Sequence, residues 1–158
     1  MSCQFGKVGS GLGLVSILLS KLQPPPSHLV ATDGDDIALG QLRKNCDMNG
    51  VGEGIKVEKL RWGEGVEEFH LSHGPFDMIV GADVIYEEEY LVPLFQTVKG
   101  LMDSADSVFV LSFARRNVSI ELVTSTACHL GFEQSTPPTF HPSNPNELIY
   151  FFKLTSIP

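Results

Sequence analysis

The chain has 158 residues, 42% hydrophobic and 19% charged, with a formal net charge of −8 at pH 7. These values are typical of one globular domain with a core of its own, and we expect a monomer. The acidic balance argues against a nucleic-acid backbone as the main partner. Three widely spaced cysteines predict neither a disulfide framework nor a metal site. No apolar run reaches transmembrane length and no signal-peptide pattern is visible, so we expect a cytoplasmic protein, with the nucleus as a further location.

The first feature along the chain is a glycine-rich segment, Gly9-Ser-Gly-Leu-Gly13. Residues 2–8 before it are short and half polar, and they predict a poor first strand at best. Glycines permit a tight turn, let a ligand approach the backbone, and here lead into a helix predicted over 14–22, whose N-terminus offers unpaired N–H groups. Because the spacing is not the full G-x-G-x-x-G, a plain glycine-rich turn is an alternative.

A carboxylate ends the next predicted strand, which covers 28–33. Asp33 lies 20 residues beyond Gly13, a separation that suits a side chain accepting hydrogen bonds from ribose hydroxyls. The alternative is an acid that caps a helix or forms a turn, a role that Asp35 or Asp36 would serve equally well.

The remaining pattern alternates strands and helices, which predicts a parallel sheet with helices on both faces. The last two strands have no helix between them and should form an antiparallel hairpin at one edge. The first helix of this part has Ile37, Leu39, Leu42 and Cys46 as its apolar positions. Helices are predicted over 37–49, 87–102 and 118–130, and strands over 55–60 (near a sheet edge), 76–83, 107–113, 132–136 and 148–154.

The segment 76–86 is the most informative part of the sequence. Met78–Val80 is a short apolar run that reads as a buried parallel strand, followed by the small residues Gly81 and Ala82. Asp83 and Tyr86 then place a carboxylate and a phenol past the end of the strand, where ligands bind in open α/β sheets. The alternatives are a helix-capping acid and a packing tyrosine.

Two further groups near predicted strand ends have a functional and a structural interpretation. Trp62, the single tryptophan, follows the third strand and either stacks on an adenine ring or fills the core. Glu87-Glu88-Glu89 either stabilise a helix N-terminus through its dipole or form an acidic rim that attracts a cationic substrate.

Taken together, these motifs resemble those of seven-strand S-adenosylmethionine-dependent methyltransferases. Asp83-Val-Ile-Tyr86 is similar to the D-x-x-Y signature of one branch, the family 16 protein-lysine methyltransferases. The resemblance covers residues 9–154 and implies a Rossmann-like three-layer sandwich, with a mostly parallel seven-strand sheet, a short or degraded first strand and an antiparallel C-terminal hairpin. The matching segments are Gly9–Leu14, Thr32-Asp33, Leu42–Asn45, Leu60–Gly63 and Phe76–Tyr86.

The resemblance implies S-adenosylmethionine as the cofactor. Residues 9–11 would lie against its methionine part, Asp33 would hold the ribose, and Trp62 would flank the adenine. The cofactor-binding residues implied in this way are Gly9, Ser10, Gly11, Asp33, Trp62 and Ala82.

The resemblance also implies the catalytic pair and the substrate. Asp83, with Ala82, would line the floor near the sulfonium, and Tyr86 would border the opening through which a lysine side chain of a protein substrate enters. We expect Asp83 and Tyr86 to orient the amine. An arginine, a histidine or a small molecule as methyl acceptor is an alternative.

The chain departs from the family pattern in two ways. Lys7 stands where members usually carry an acidic residue, two positions before the first glycine of the loop. Members also usually carry several dozen residues upstream, so the resemblance implies a single methyltransferase domain whose N-terminal segment is missing. These departures leave open a second function, a truncated and inactive isoform that acts as a protein-binding module.

Overall fold

A computed structural model describes residues 3–114, 117–135, 139–141 and 144–155. The strands are β1 (Gln4–Val8), β2 (His28–Asp33), β3 (Lys56–Lys59), β4 (Met78–Ala82), β5 (Val108–Ala114), β6 (Phe132–Gln134), β7 (Thr139–His141) and β8 (Asn144–Leu154). The helices are α1 (Leu14–Ser20), α2 (Asp36–Met48), α3 (Val66–His73), α4 (Leu91–Leu101) and α5 (Ile120–His129).

The strands form one mixed sheet in the order β3-β2-β1-β4-β5-β8-β6, with β7 paired to β8. Strands β1 to β5 are parallel to their neighbours within this group, whereas β8 is antiparallel to β5 and β6. The predicted mostly parallel seven-strand sheet with an antiparallel C-terminal part is therefore confirmed, as is the edge position of β3. The strand order reverses between β1 and β4, and this switch point is where open α/β sheets bind ligands.

The first strand, predicted to be short or degraded, is a regular strand of five residues, Gln4–Val8, that pairs with a neighbour on each side. It lies at the centre of the sheet, where Lys7 is paired with Ala31 of β2 on one side and Val80 of β4 on the other. The half-polar sequence misled because Lys7 is 2% exposed and its amine donates to backbone carbonyls. A lysine whose amine is held by two backbone carbonyls fits a central strand.

The buried side chains form two clusters, one on each face of the sheet. Successive residues of a strand point to opposite faces, and accordingly Val30 belongs to the larger cluster while Leu29 and Ala31 belong to the smaller. The smaller cluster joins β2 to α2, and the larger joins the central strands to α3, α4 and α5. The predicted three-layer sandwich is confirmed.

The helix α3 was missed by the sequence reasoning, which placed two strands in succession there. It lies between Gly65 and Gly74, and Phe69 is its buried residue, with Val66 packed against the larger cluster. A helix of eight residues with so few inward apolar positions shows too little periodicity to be recognised.

Two details of the predicted helices also need correction. Ile37 was expected to face the core but is 84% exposed, whereas Leu39, Leu42 and Cys46 are buried as expected. The helix expected from Glu87 begins at Leu91, because residues 88–90 form a single 3₁₀ turn instead. The acidic triplet therefore precedes α4 as part of the turn that leads into it.

The C-terminal strands β6 and β8 form the predicted antiparallel pair at one edge of the sheet. Strand β8 is long and lies inside the sheet, between β5 and β6, so that β6 is the edge strand of the pair. The connection between the last two predicted strands contains the short strand β7. The buried aromatic rings of Tyr150 and Phe152 explain the interior position of β8, because they pack against Phe113 and Phe109 of β5.

Candidate functional site

A cavity of about 760 Å³ opens at the carboxyl ends of β1, β2 and β4, at the switch point of the sheet. Its walls come from the loops that follow these strands and β3, and from the start of α4. The residues around it are Gly9, Gly11, Asp33, Gly34, Leu60, Arg61, Trp62, Glu64, Val84, Tyr86, Glu89, Tyr90 and Pro93. This set includes five of the eight predicted site residues.

The glycine loop approaches the cavity with its backbone exposed. Gly9, Gly11 and Gly13 have φ values of +59°, +51° and +97°, which side-chain-bearing residues rarely adopt. A Cβ on Gly9 would lie 2.7 Å from Cγ1 of Val84 and 3.2 Å from the Trp62 ring. Gly9 therefore has to be glycine, both for its conformation and for the close packing of the loop.

Asp33 connects the end of β2 to the glycine loop. Its Oδ2 accepts a hydrogen bond of 2.8 Å from the Gly11 N–H, and its Oδ1 accepts one of 3.1 Å from the Asp35 N–H. A carboxylate has about four acceptor positions, so these two bonds leave capacity for two hydroxyl donors in the cavity. Asp35 takes the role of helix cap, because its side chain accepts from the Ala38 N–H at the start of α2.

Lys7 lies directly behind this loop and was not predicted to belong to the site. Its Nζ donates to the Val8 carbonyl at 2.7 Å and to the Gly9 carbonyl at 2.9 Å. Burial lowers the pKa of Lys7 to about 8, and the negative charge of Asp33 opposes this shift. Its position two residues before Gly9 was a usable signal, but a half-polar segment gave no indication that the side chain would be buried.

Trp62 lies over the glycine loop and forms one wall of the cavity. Its loop is tied to α4 because the Gly63 N–H donates to Oγ1 of Thr97 at 2.8 Å. The Tyr90 ring meets the indole edge to face, with 6.4 Å between the centroids. Trp62 packs against the larger core cluster as well, in agreement with the core-filling interpretation, while stacking on an adenine ring stays a prediction.

The segment after β4 carries the predicted catalytic pair. Asp83 is exposed and, among the described residues, is the non-glycine residue with positive φ, at +54°. A left-handed aspartate in a loop that follows a central strand is the kind of strained position found at functional sites. Tyr86 is 49% exposed and borders the cavity.

Val84, between these two residues, couples their loop to the glycine loop. Its side chain occupies the space that a Cβ would need on Gly9 and lies 3.1 Å from the position of a Cβ on Gly81. Sequence reasoning passed over Val84 because an apolar residue inside a signature carries no chemical signal of its own. Packing between the two loops is its contribution to the site.

The other predicted residues, Ser10, Ala82 and Asp83, do not line the cavity but lie beside it. The Ser10 hydroxyl is buried and donates to the Lys7 carbonyl at 3.2 Å, while its N–H donates to the Thr32 carbonyl. Ala82 ends β4, and the next N–H, that of Asp83, donates to the Ser112 carbonyl of β5. Their predicted roles toward a cofactor stay predictions.

Acidic groups stand at the mouth of the cavity. Glu64 and Glu89 border it, and Glu87 and Glu88 are exposed next to Glu89. Arg61 is the cation among the residues that border the cavity, and its side chain packs beside Gly34. The described residues contain no group of three potential metal ligands, and within them no helix has the length and apolar character to cross a membrane.

The geometry suits a nucleoside-bearing cofactor such as S-adenosylmethionine. Gly9 and Gly11 present their backbone to the cavity, Asp33 keeps acceptor capacity at the end of β2, and an aromatic pair flanks the same space. The glycines suit the charged tail of such a ligand, Asp33 suits its ribose, and the aromatic pair suits its base.

Comparison with known proteins agrees with this geometry. The model of a family described as lysine methyltransferase matches residues 3–125. Protein-lysine N-methyltransferase EFM3 of Chaetomium thermophilum is 29% identical over 156 residues, which cover 93% of this chain and 46% of that protein. Protein N-lysine methyltransferase METTL21A of Mus musculus is 36% identical over 113 residues, which cover 70% of this chain and 49% of that protein.

Among solved structures, a ribosomal protein L11 methylase from Lactobacillus delbrueckii subsp. bulgaricus superimposes with a TM-score of 0.76 at 16% identity, covering 99% of this chain and 72% of that one. This likeness concerns the fold. The chain spans about half the length of the two relatives described above. Since the family model matches most of the sequence, this chain belongs to the lysine methyltransferase family.

Proposed function

We propose that the chain binds S-adenosylmethionine in the cavity at the switch point and transfers its methyl group to a lysine side chain of a protein. The observation that carries the proposal is the joint position of the glycine loop, Asp33 and the segment 83–86 around one cavity. Family membership and relatives named as protein-lysine methyltransferases support it.

The binding roles follow from the contacts of the described residues. Gly9 and Gly11 would present their backbone to the methionine part, with Ser10 fixing the loop from behind through its bonds to β1 and β2. Asp33 would accept from the ribose hydroxyls with its remaining lone pairs. Trp62 and Tyr90 would flank the adenine.

The bound cofactor supplies a methyl group on a positively charged sulfur, which is activated for direct attack by an amine. The protein therefore has to position the acceptor in line, exclude water and receive a neutral amine. A lysine amine attacks only after it loses its proton, and desolvation at a narrow opening favours that form. Tyr86 borders the cavity and Asp83 lies beside it, and both would orient the nitrogen through hydrogen bonds.

The charge at the opening suits a cationic side chain. Glu64 and Glu89 border the cavity, and the exposed Glu87 and Glu88 extend the negative surface beside it. A negative rim raises the local concentration of a protonated lysine before it enters. The chain as a whole carries a formal charge of −8, which adds to this attraction.

The test is methyl transfer from radiolabelled S-adenosylmethionine to a cell extract, with hydrolysis of the labelled protein to identify methyl-lysine. Asp83→Asn keeps the size of the side chain and tolerates the left-handed backbone, so the variant should fold and lose most of the transfer. Asp106→Asn, the same substitution in an exposed turn before β5, is the matched control and should retain full activity. Equal activity of both variants, or label on arginine or histidine only, would contradict the proposal.

The protein-binding module is the second outcome of such experiments. A folded chain without measurable affinity for the cofactor would favour it. A monomeric state and a cytoplasmic or nuclear location stay predictions, to be tested by light scattering and by microscopy of the tagged protein.

A further inference from the structure

Several polar side chains are buried among the described residues, and Lys7 is the charged one. Its relative exposure is 2%. Its Nζ donates to the Gly9 carbonyl, and Gly9 forms part of the cavity wall. The amine therefore contacts the backbone of a residue that lines the cavity. A second bond, to the Val8 carbonyl, holds it there.

One charge of opposite sign, that of Asp33, acts on Lys7. Its neighbours in the sheet are Ala31 of β2 and Val80 of β4, which are apolar, and α1 contains no charged residue. The acid at the end of β2, Asp33, faces it and lies on the cavity side. The acid after β4, Asp83, is exposed. The hydroxyls of Ser10 and Thr32, which bond to the Lys7 carbonyl, are neutral.

We propose that Lys7 determines the relative affinity for S-adenosylmethionine and S-adenosylhomocysteine, because its positive charge behind Gly9 repels the sulfonium cation that only the first ligand carries. The inference rests on the proposed function, since it requires the cofactor to bind in this cavity. The two ligands differ by one methyl group and one positive charge. A nearby cation in a poorly solvated wall therefore weakens the binding of the methyl donor more than the binding of the demethylated product.

The effect should depend on pH, because the Lys7 pKa is lowered to about 8 by burial. A neutral amine retains two N–H groups, enough to keep the bonds to the Val8 and Gly9 carbonyls. Loss of the proton thus removes the charge and leaves the loop in place. The consequence for the enzyme is stronger competition by the product against the methyl donor near neutral pH, relieved as pH rises through 8.

The test compares calorimetric dissociation constants for the two ligands at pH 7 and pH 9.5. For the unmodified chain, the ratio of the S-adenosylmethionine constant to the S-adenosylhomocysteine constant should fall roughly tenfold between these pH values. Titration of the α-amino groups of the two ligands is the same for every variant, so comparison between variants removes it. Lys7→Met should show the low ratio, that of the unmodified chain at pH 9.5, at both pH values. Lys7→Arg keeps its charge and should show the high ratio, that of the unmodified chain at pH 7, at both.

The control variant is Lys99→Met, which removes a lysine that donates to the Leu130 carbonyl, away from the cavity. It should keep the pH-dependent ratio of the unmodified chain. A ratio that is the same at both pH values in the unmodified chain, or unchanged in Lys7→Met, would overturn the inference. If Lys7→Arg does not unfold cooperatively, the inference is judged on the unmodified chain and Lys7→Met alone. Absence of binding of either ligand would instead overturn the proposed function, and this inference with it.

Discussion

Lys7 also allows a stability prediction whose size follows from the structure. The fall of its pKa from the ordinary 10.5 to about 8 means that the folded state disfavours the charged amine. One pKa unit corresponds to 1.36 kcal/mol, so the charged amine is about 3 kcal/mol less favourable in the folded chain than in the unfolded chain. Below pH 8 the lysine is charged in both the folded and the unfolded chain, so the full cost is present.

The sign of the pH dependence follows from proton linkage. Between pH 8 and 10.5 the unfolded chain binds more protons at this site than the folded chain, so the free energy of unfolding rises with pH in this window. Lys7→Met lacks the titrating group. The free energy of unfolding of the unmodified chain should therefore gain up to about 3 kcal/mol relative to Lys7→Met from pH 7.5 to pH 10.5.

The assay is urea unfolding of both proteins at several pH values, followed by the fluorescence of Trp62, the single tryptophan. The difference between the two proteins removes the contribution of every other titrating group. At pH 7.5 alone the comparison is less informative, because methionine also leaves the Val8 and Gly9 carbonyls without the amine, at a cost of about 1 kcal/mol or more for each. A difference that stays constant with pH, or falls, would refute the reasoning about Lys7.

The other predictions concern the loops around the cavity. Gly9→Ala should destabilise the fold by about 2–3 kcal/mol, because its Cβ would collide with Val84 at a positive φ, whereas Gly11→Ala, with no atom within 4 Å of its Cβ, should cost only about 1 kcal/mol. Thermal melts test this pair, and equal losses would contradict the packing described. Asp33→Asn should reduce S-adenosylhomocysteine affinity at least tenfold by calorimetry. Asp35→Ala should lose about 1 kcal/mol of stability by uncapping α2 while affinity is unchanged, and a matching loss of affinity would refute the distinction.

Much of the site was predictable because strand ends follow a general rule. The carboxyl ends of parallel strands meet at one edge, so the glycine loop, Asp33 and the segment after β4 could be placed together from sequence alone. The family signature added the identity of the ligand. The assignment of Asp33 was supported by its distance from the loop, but its bond to the Gly11 N–H was not foreseeable, since it depends on the exact approach of β1 and β2.

What could not be predicted depends on packing between distant segments. The burial of Lys7 depends on carbonyls that turn inward at the end of β1, and no local pattern announces it. Val84 gains its role from two glycines far apart in sequence. The short helix α3 has too few inward residues to show a period, and it is held in place by contacts with α4.

The most direct test of the central claim is calorimetric titration of S-adenosylhomocysteine into the purified chain, with a thermal melt of the same sample. We predict a cooperative melt and micromolar binding at a single site, with a change in Trp62 fluorescence as the cavity fills. A cooperative melt without binding would contradict the cofactor site proposed here and favour the protein-binding module.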